Sequence, residues 1–192
     1  KKRKRDLKTI IAQRTLELNT ENNRKAQELE EARALQLSML PGAAVEHSSV
    51  DVAFRTEPAT EVGGDYFDIK NADEGRVDLA VGDATGHGLR AGIVVTATKS
   101  LFQTLLPGMS QEETLFVISK TLRDMNLRRV NMALSLITLA ERKLILSAAG
   151  MPPVLLYRQA TREVEEILIE GLPLGTSAHA IYHTEERALN VG

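Results

Sequence analysis

The chain of 192 residues contains no cysteine and no tryptophan, and only 4% of its residues are aromatic. The absence of cysteine excludes disulfide scaffolds, zinc ribbons and any mechanism in which a cysteine thiolate is the nucleophile. No apolar run reaches the length of about 18 residues that a membrane-spanning helix needs, so none is predicted within this segment. The basic start is not followed by an apolar run, and no signal peptide is therefore predicted.

The composition is that of an ordinary globular chain, with 43% hydrophobic and 26% charged residues. It predicts one sizeable domain and a short extension. The charge is unevenly divided, because residues 1–40 hold ten Lys/Arg and six Asp/Glu, net +4, whereas residues 41–192 hold fourteen and twenty, net −6. A basic start on an acidic body argues against a nucleic-acid-binding domain.

Residues 6–40 contain neither proline nor glycine, which predicts one long helix. One heptad track is mostly apolar and consists of Ile11, Leu18, Lys25, Ala32 and Met39. The partner track is interrupted by charge and consists of Leu7, Arg14, Glu21, Glu28 and Leu35. The pattern predicts a weak coiled coil that forms a parallel homodimer through residues 6–40. A solvated helix that packs only at its C-terminal end stays the alternative.

The first five residues are all basic, and two interpretations of this cluster stay open. The first is a solvated helix terminus. The second is a segment just cytoplasmic of an upstream membrane or sensor domain, because basic residues are enriched on that side of membrane-spanning helices. The second interpretation predicts a cytoplasmic location, as the cytoplasmic part of a membrane-anchored sensor.

Two aspartates lie at the ends of a predicted hairpin. Residues 66–70 and 76–82 are predicted strands around a turn-rich stretch, and folding the chain back about residue 74 places Asp65 opposite Asp83. The odd positions of both strands are apolar, which predicts an inward face that the two aspartates continue. Two carboxylates there would raise each other's pKa unless a cation lay between them. A hard ion such as Mg²⁺ or Mn²⁺ is therefore predicted, against the alternative of two polar residues at strand ends.

The remaining body predicts strands, then two helices, then strands, which is an α+β architecture. The first helix is predicted over residues 89–106. The second begins with a capping box of Ser110 and Glu113 and buries Leu115, Ile118, Leu122 and Met125. Further strands are predicted over residues 50–54, 132–139, 143–149, 154–157, 164–170 and 181–191.

Residues 61–68 (EVGGDYFD) and 81–88 (VGDATGHG) together resemble the paired signature of the PPM superfamily of metal-dependent serine/threonine phosphatases, in its bacterial SpoIIE/RsbU branch. Three further stretches fall in the order that this family has, at residues 35–41 (LQLSMLP), 148–157 (AAGMPPVLLY) and 171–175 (GLPLG). The resemblance implies a four-layer αββα sandwich preceded by a long N-terminal helix. It divides the chain into a helical linker, residues 1–41, and a phosphatase domain, residues 42–192.

The resemblance also implies a site and a reaction. Asp65 and Asp83 match the ligands of a centre of two Mn²⁺ or Mg²⁺ ions, with the backbone carbonyl of Ala84 as a further ligand. A water bridging the metals, held by the two aspartates, would attack the phosphorus in line. The implied substrate is phosphoserine or phosphothreonine on a bacterial signalling protein of the STAS anti-sigma-factor-antagonist class. Residues that would contact either the ligands or the phosphate are Asp68, Gly86, His87 and Gly88.

Two departures from the family pattern matter. Met151 stands where the family often has histidine, and the sequence ends at Gly192 before the family's later aspartate ligands, which predicts a phosphatase domain that lacks its C-terminal part. Two function classes therefore stay open. The first is a protein phosphatase in its full-length form, and the second is a PPM-fold regulatory or partner-binding module with incomplete metal chemistry.

Overall fold

The computed structural model describes residues 2–42, 44–47, 50–56, 62–71, 75–105, 108–127 and 130–190, without the side chains of residues 2, 4, 5, 44–47 and 71. The helices are α1 (Lys2–Ser38), α2 (Leu89–Leu105) and α3 (Gln111–Asp124). The strands are β1 (Ala44–His47), β2 (Val50–Ala53), β3 (Asp65–Asn71), β4 (Arg76–Ala84), β5 (Met132–Ala140), β6 (Lys143–Ala149), β7 (Val154–Arg158), β8 (Glu163–Ile167) and β9 (Thr184–Ala188). The predicted order of strands, two helices and strands is confirmed.

Helix α1 is one continuous helix of 37 residues, which at 1.5 Å per residue is about 55 Å long. The prediction of a long N-terminal helix is confirmed. Its side chains from residue 6 to residue 28 are all exposed, including those of Leu7, Ile11 and Leu18. Its C-terminal end packs on the body, where Gln36 is buried. Pairing with a second copy stays a prediction.

The centre of the body is an antiparallel sheet of five strands in the order β3-β4-β5-β6-β9. Two hairpins, β1-β2 and β7-β8, form separate two-stranded sheets. In the register of β3 and β4, Asp65 lies opposite Asp83, as the sequence predicts. A slip of one residue would place the two aspartates on opposite faces of the sheet, so this register decides whether they can act together.

Each face of the central sheet carries its own hydrophobic core. Helices α2 and α3 cover one face, where Tyr66, Phe102, Leu115 and Leu134 are buried. The other face packs against the β7-β8 hairpin and the segment after it, through residues such as Leu146 and Ile167. These three layers correspond to the helix, sheet and sheet layers of the four-layer sandwich that the resemblance implies.

The prediction that the odd positions of β3 and β4 form the inward face is wrong at the end that carries the aspartates. Tyr66 and Asp68, at even positions, are 1% and 2% exposed, whereas Val81 is 37% exposed. The physical reason is that the small side chains of Ala80 and Ala84 let the helices pack close to the sheet, while the ring of Tyr66 fills the remaining space. A small residue at an even position therefore marks the helix-facing side.

Other differences concern element ends. The strand predicted over residues 164–170 is Glu163–Ile167, and the one predicted over residues 181–191 is the shorter Thr184–Ala188. Helix α2 is described up to Leu105, and residue 106 lies outside the described residues. The capping box of Ser110 and Glu113 is confirmed.

The buried stripe predicted on α3 is confirmed at Leu115, Ile118 and Leu122, whereas Met125 is 36% exposed because it caps the end of the helix. No helix in the described ranges is long and apolar enough to cross a membrane.

Candidate metal centre

Two opposed carboxylates define the candidate site. Asp65 is the first residue of β3 and Asp83 is the residue before the last of β4, and the sheet register pairs them directly. Directly opposed residues in an antiparallel pair have their Cβ atoms about 5 Å apart. Both side chains are exposed. The two carboxylates are therefore close enough to share one ion and open to solvent.

The electrostatics of this pair favour a cation. Burial raises the pKa of Asp83, and the negative charge of Asp65 raises that pKa further. Asp65 accepts a hydrogen bond of 3.2 Å from Thr56 Oγ1, which is a neutral donor. Among the described residues neither carboxylate forms an ion pair. A bound cation would remove the repulsion that the described residues leave uncompensated.

Close packing against Gly64 brings the carbonyl oxygen of Ala84 near the carboxylate of Asp83. A Cβ atom at Gly64 would lie 2.3 Å from the carbonyl oxygen of Ala84 and 2.8 Å from Oδ1 of Asp83. Both oxygens therefore lie against the backbone of Gly64, and the packing leaves no room for a side chain at residue 64. Carboxylate and carbonyl oxygens are ligands that Mg²⁺, Mn²⁺ and Ca²⁺ accept. The three predicted donors, Asp65, Asp83 and the carbonyl of Ala84, fit part of the coordination sphere of such an ion.

Backbone hydrogen bonds fix the segment that follows Asp83. The amide of Ala84 donates to Gly64 O at 2.9 Å, and the amide of Gly88 donates to Val62 O at 3.0 Å. Thr85 is held from the other side, because its amide donates to Asn131 O at 2.8 Å and its hydroxyl accepts from the Asn131 amide at 2.9 Å.

The predicted contact residues Gly86, His87 and Gly88 lie in the same segment, immediately before α2. The two glycines have φ values of +85° and +79°, a conformation that favours glycine. The His87 side chain is exposed. The structure therefore brings these three residues next to Asp83 in the chain, on the segment that leads from the aspartate into the helix.

Asp68 is not brought to the opposed pair. It is 2% exposed and lies on the helix-facing side of β3. Its Oδ2 atom accepts hydrogen bonds from Lys99 Nζ at 2.7 Å and from Tyr66 Oη at 3.1 Å, and its Oδ1 atom accepts one from the Ile69 amide at 3.0 Å. Burial, together with the negative charge of Asp68, raises the pKa of Tyr66, so the phenol keeps its proton and donates.

Sequence reasoning missed Gln36, which holds the strand segment before Asp65. Its side-chain amide donates to Gly63 O at 2.9 Å and accepts from the Gly63 amide at 3.1 Å. The Gln36 side chain thus gives the backbone of Gly63 the two hydrogen bonds that a neighbouring strand would otherwise provide. A polar residue between Leu35 and Leu37, near the end of an otherwise amphipathic helix, was the signal that could have indicated it.

Two further observations limit the donor set. Within the described ranges no three residues of the types His, Cys, Asp and Glu lie close enough to hold one metal ion. Met151, where the resembled family often has histidine, is partly buried against the core that contains Leu146. The described part of the chain therefore supplies two carboxylates and one carbonyl, and Met151 packs as an apolar side chain.

Comparison with protein families matches residues 73–192, more than half of the chain, to the family described as Stage II sporulation protein E (SpoIIE). The fold and the opposed aspartates define the class, a PPM or PP2C-like phosphatase domain. The chain belongs to the SpoIIE family within that class, which confirms the resemblance. The comparison with curated proteins found no match.

Solved structures agree with this assignment. The RsbU and RsbW domains of a Mycobacterium tuberculosis protein are 25% identical, with a TM-score of 0.60 over 70% of this chain and 38% of that one. RsbX in complex with magnesium is 19% identical, with a TM-score of 0.65 over 78% of this chain and 73% of that one.

The SiaA-PP2C domain of Pseudomonas aeruginosa is 17% identical, with a TM-score of 0.69 over 88% of this chain and 69% of that one. At these identities the last two similarities show the fold alone. The chain spans 38% of the length of the Mycobacterium tuberculosis structure.

Proposed function

We propose that this chain carries part of the active site of a metal-dependent protein serine/threonine phosphatase. The observation that carries the proposal is the register of β3 and β4, which opposes Asp65 and Asp83. The close packing of Asp83 Oδ1 and the Ala84 carbonyl against Gly64 supports it. The proposed substrate is a phosphoserine or phosphothreonine protein of the STAS class, by analogy with the SpoIIE/RsbU branch.

Each residue has a proposed role. Asp65 and Asp83 would hold two Mn²⁺ or Mg²⁺ ions and the water between them, and the carbonyl of Ala84 would be a further ligand. When bound, the ions would supply a water with a lowered pKa and would stabilise charge on the phosphate oxygens. Gly86 and His87 are exposed and Gly88 is half-buried in the segment that follows Asp83, where backbone amides and the imidazole could contact a phosphate. Asp68 lies on the helix-facing side of the sheet and would affect the site indirectly, through its contact with α2.

The test measures Mn²⁺-dependent release of phosphate from a phosphoserine STAS protein. It compares the whole natural protein, the chain of residues 1–192, and an Asp83→Asn variant of each. We expect the whole protein to release phosphate and its Asp83→Asn variant to lose at least about 100-fold of that rate, because an amide cannot replace an ionised ligand. Phosphate release that is unchanged by Asp83→Asn would contradict the proposal.

A second candidate function is a regulatory module that keeps the fold and binds a partner without catalysis. One observation favours it, namely that the described ranges contain no third acidic or histidine side chain near the opposed aspartates. The same test separates the two. A whole protein that binds the unphosphorylated and phosphorylated STAS protein equally, binds no Mn²⁺ and releases no phosphate would support the module.

The homodimer is proposed on the exposed apolar residues of α1. Ile11 and Leu18, on the apolar heptad track, are 56% and 59% exposed in the single chain. Burying such side chains against a second copy would stabilise a pair of helices. Sedimentation equilibrium of Leu18→Glu tests it, with Leu16→Glu as control because Leu16 is equally apolar and 68% exposed but lies off the track. A dimer that survives Leu18→Glu would contradict pairing through this seam.

We propose a cytoplasmic location and an upstream membrane or sensor domain by analogy with the SpoIIE/RsbU branch. The basic residues at the start of the chain support both.

A further inference from the structure

A buried ion pair joins β3 to α2 on the side of the sheet away from the opposed aspartates. Lys99 Nζ lies 2.7 Å from Asp68 Oδ2, and the Asp68 side chain is only 2% exposed. A carboxylate at that depth has little water to solvate it and depends on its partners. Lys99 supplies the only full positive charge paired with it among the described residues. The pair therefore strongly constrains how β3 and α2 fit together.

Neighbouring polar contacts also join β3 to α2. Lys70 Nζ, on β3, donates to Gln103 O at 2.7 Å, and Gln103 Nε2 donates to Ile69 O at 3.3 Å. Lys99 and Gln103 are four residues apart, so they lie on one face of α2. This face of the helix is thus tied along β3 by hydrogen bonds and one ion pair.

The beginning of α2 is bonded to the segment that leads into Asp65. The Gly88 amide donates to Val62 O, and a Cβ atom at Gly92 would lie 2.7 Å from Val62 Cγ1, so helix and loop pack tightly here. Val62 lies three residues before Asp65, and Gly88 lies five residues after Asp83. A shift of α2 along β3 would therefore move the Ala84 carbonyl and Asp83 relative to Asp65.

We propose that Lys99, through its ion pair with Asp68, is a positioning residue for the Asp65/Asp83 metal site. Lys99 lies on the helix-facing side of the sheet, with Asp68, and not beside Asp65 or Asp83. It fixes the position of α2 against β3 and so sets the distance between donors on the two strands. The inference rests on the proposed metal site, and it adds a residue on α2 that the sequence motifs do not contain. Partners that orient metal ligands typically change metal affinity by 10- to 100-fold when they are removed.

The test measures Mn²⁺ affinity of the whole natural protein from the electron paramagnetic resonance signal of free Mn²⁺, at a temperature where circular dichroism shows every variant folded. The variants are Lys99→Met, Lys99→Arg and the double variant Asp68→Asn/Lys99→Met. The matched control is Lys120→Met, because Lys120 forms an ion pair of the same 2.7 Å length with Asp124 on the exposed side of α3. Thermal unfolding of each variant is recorded in parallel.

We expect Lys99→Met to raise the Mn²⁺ dissociation constant by about tenfold or more, and Lys99→Arg, which keeps the cation, to stay within about threefold of the parent. The double variant leaves no unpaired buried charge, so it should regain thermal stability while its Mn²⁺ affinity stays low. Lys120→Met should bind as the parent does. That separation of stability from affinity is what a purely structural pair would not produce.

Opposite outcomes are equally definite. If Lys99→Met or, should that variant not fold, the double variant binds Mn²⁺ as tightly as the parent, the positioning role is overturned and the metal site stands. If the whole protein binds no Mn²⁺, or its Asp83→Asn variant binds Mn²⁺ as tightly as the parent, the metal site itself is overturned and the positioning role falls with it.

Discussion

The β3-β4 hairpin carries two pairs of aspartates with opposite surroundings. Asp68 and Asp78, on the helix-facing side, are 2% and 1% exposed, and each is paired with a cation, Lys99 and Arg76 respectively. Asp65 and Asp83 are exposed, face each other, and form no ion pair with the described residues. The comparison teaches that the described residues neutralise the two buried carboxylates with their own cations and leave the exposed pair, which is the proposed metal site, without one.

Gly64→Ala should have the largest effect, because it acts on the open pair and on the fold together. The new methyl group would lie 2.3 Å from the Ala84 carbonyl oxygen, so the backbone must move. We expect a loss of about 3 kcal/mol in the free energy of unfolding and loss of Mn²⁺ binding. Urea unfolding and Mn²⁺ titration measure the two effects.

Gly75→Ala is the matched control for Gly64→Ala. Gly75 has a φ of +85° with nothing within 4 Å of an added Cβ atom, so only backbone strain of about 1 kcal/mol is expected and Mn²⁺ binding should persist. Equal effects of the two substitutions would show that the close packing at Gly64 does not position the site.

Arg76→Met tests the internally neutralised pair. It leaves the carboxylate of Asp78 buried with the Thr138 hydroxyl as remaining side-chain donor. We expect a loss of about 2 kcal/mol, less than for a fully buried pair because the Arg76 side chain is 38% exposed. Mn²⁺ affinity should not change, since Asp78 lies towards the far end of the hairpin. If Arg76→Met lowered the Mn²⁺ affinity as much as Lys99→Met does, the Asp68–Lys99 pair would have no special role in positioning the site.

The stabilisation of the fold by Mn²⁺ should depend on pH if the ion binds at the exposed aspartates. At a Mn²⁺ concentration of about 100 times the dissociation constant, binding adds about 2.7 kcal/mol, or about 5–10 °C in Tm. Metal and proton compete for Asp83, whose pKa is raised by burial and by Asp65. The Mn²⁺-induced rise in Tm should therefore be full above that raised pKa and be lost as pH falls through it. Calorimetry from pH 8 to pH 4 measures this, and a pH-independent rise would contradict binding at Asp83.

The smallest effect is expected in the chain without metal. Because the pKa of Asp83 is raised, its ionisation costs stability, and that cost is present above the folded-state pKa and absent below the unfolded-state value. Asp83→Asn removes the charge, so we expect Tm at pH 7 to rise by about 1 °C. The same change in metal-free Tm at low pH, where Asp83 is protonated, would contradict an electrostatic origin.

Local patterns predicted the site's backbone, and tertiary packing decided what surrounds it. The turn-rich stretch and the strand patterns were enough to pair Asp65 with Asp83. The inward face was predicted wrongly because apolar alternation does not show where small residues such as Ala80 and Ala84 let a helix pack against the sheet. Lys99 could not be found from pattern alone, since it acts through a contact 31 positions away in sequence. The polar position between Leu35 and Leu37 marked Gln36 as unusual, but its partner Gly63, 27 positions away, could not be predicted from it.

The boundary between linker and domain, predicted at residue 41, stays a prediction, and the contact of Gln36 with Gly63 bears on where to cut the chain. A protein that starts at residue 42 would lose the side chain that completes the backbone hydrogen bonds two residues before Asp65. The smallest unit that folds with an ordered site should therefore include the last two turns of α1, from about residue 32. Limited proteolysis of α1 should accordingly stop short of these turns, although they belong to the same uninterrupted helix as the exposed ones.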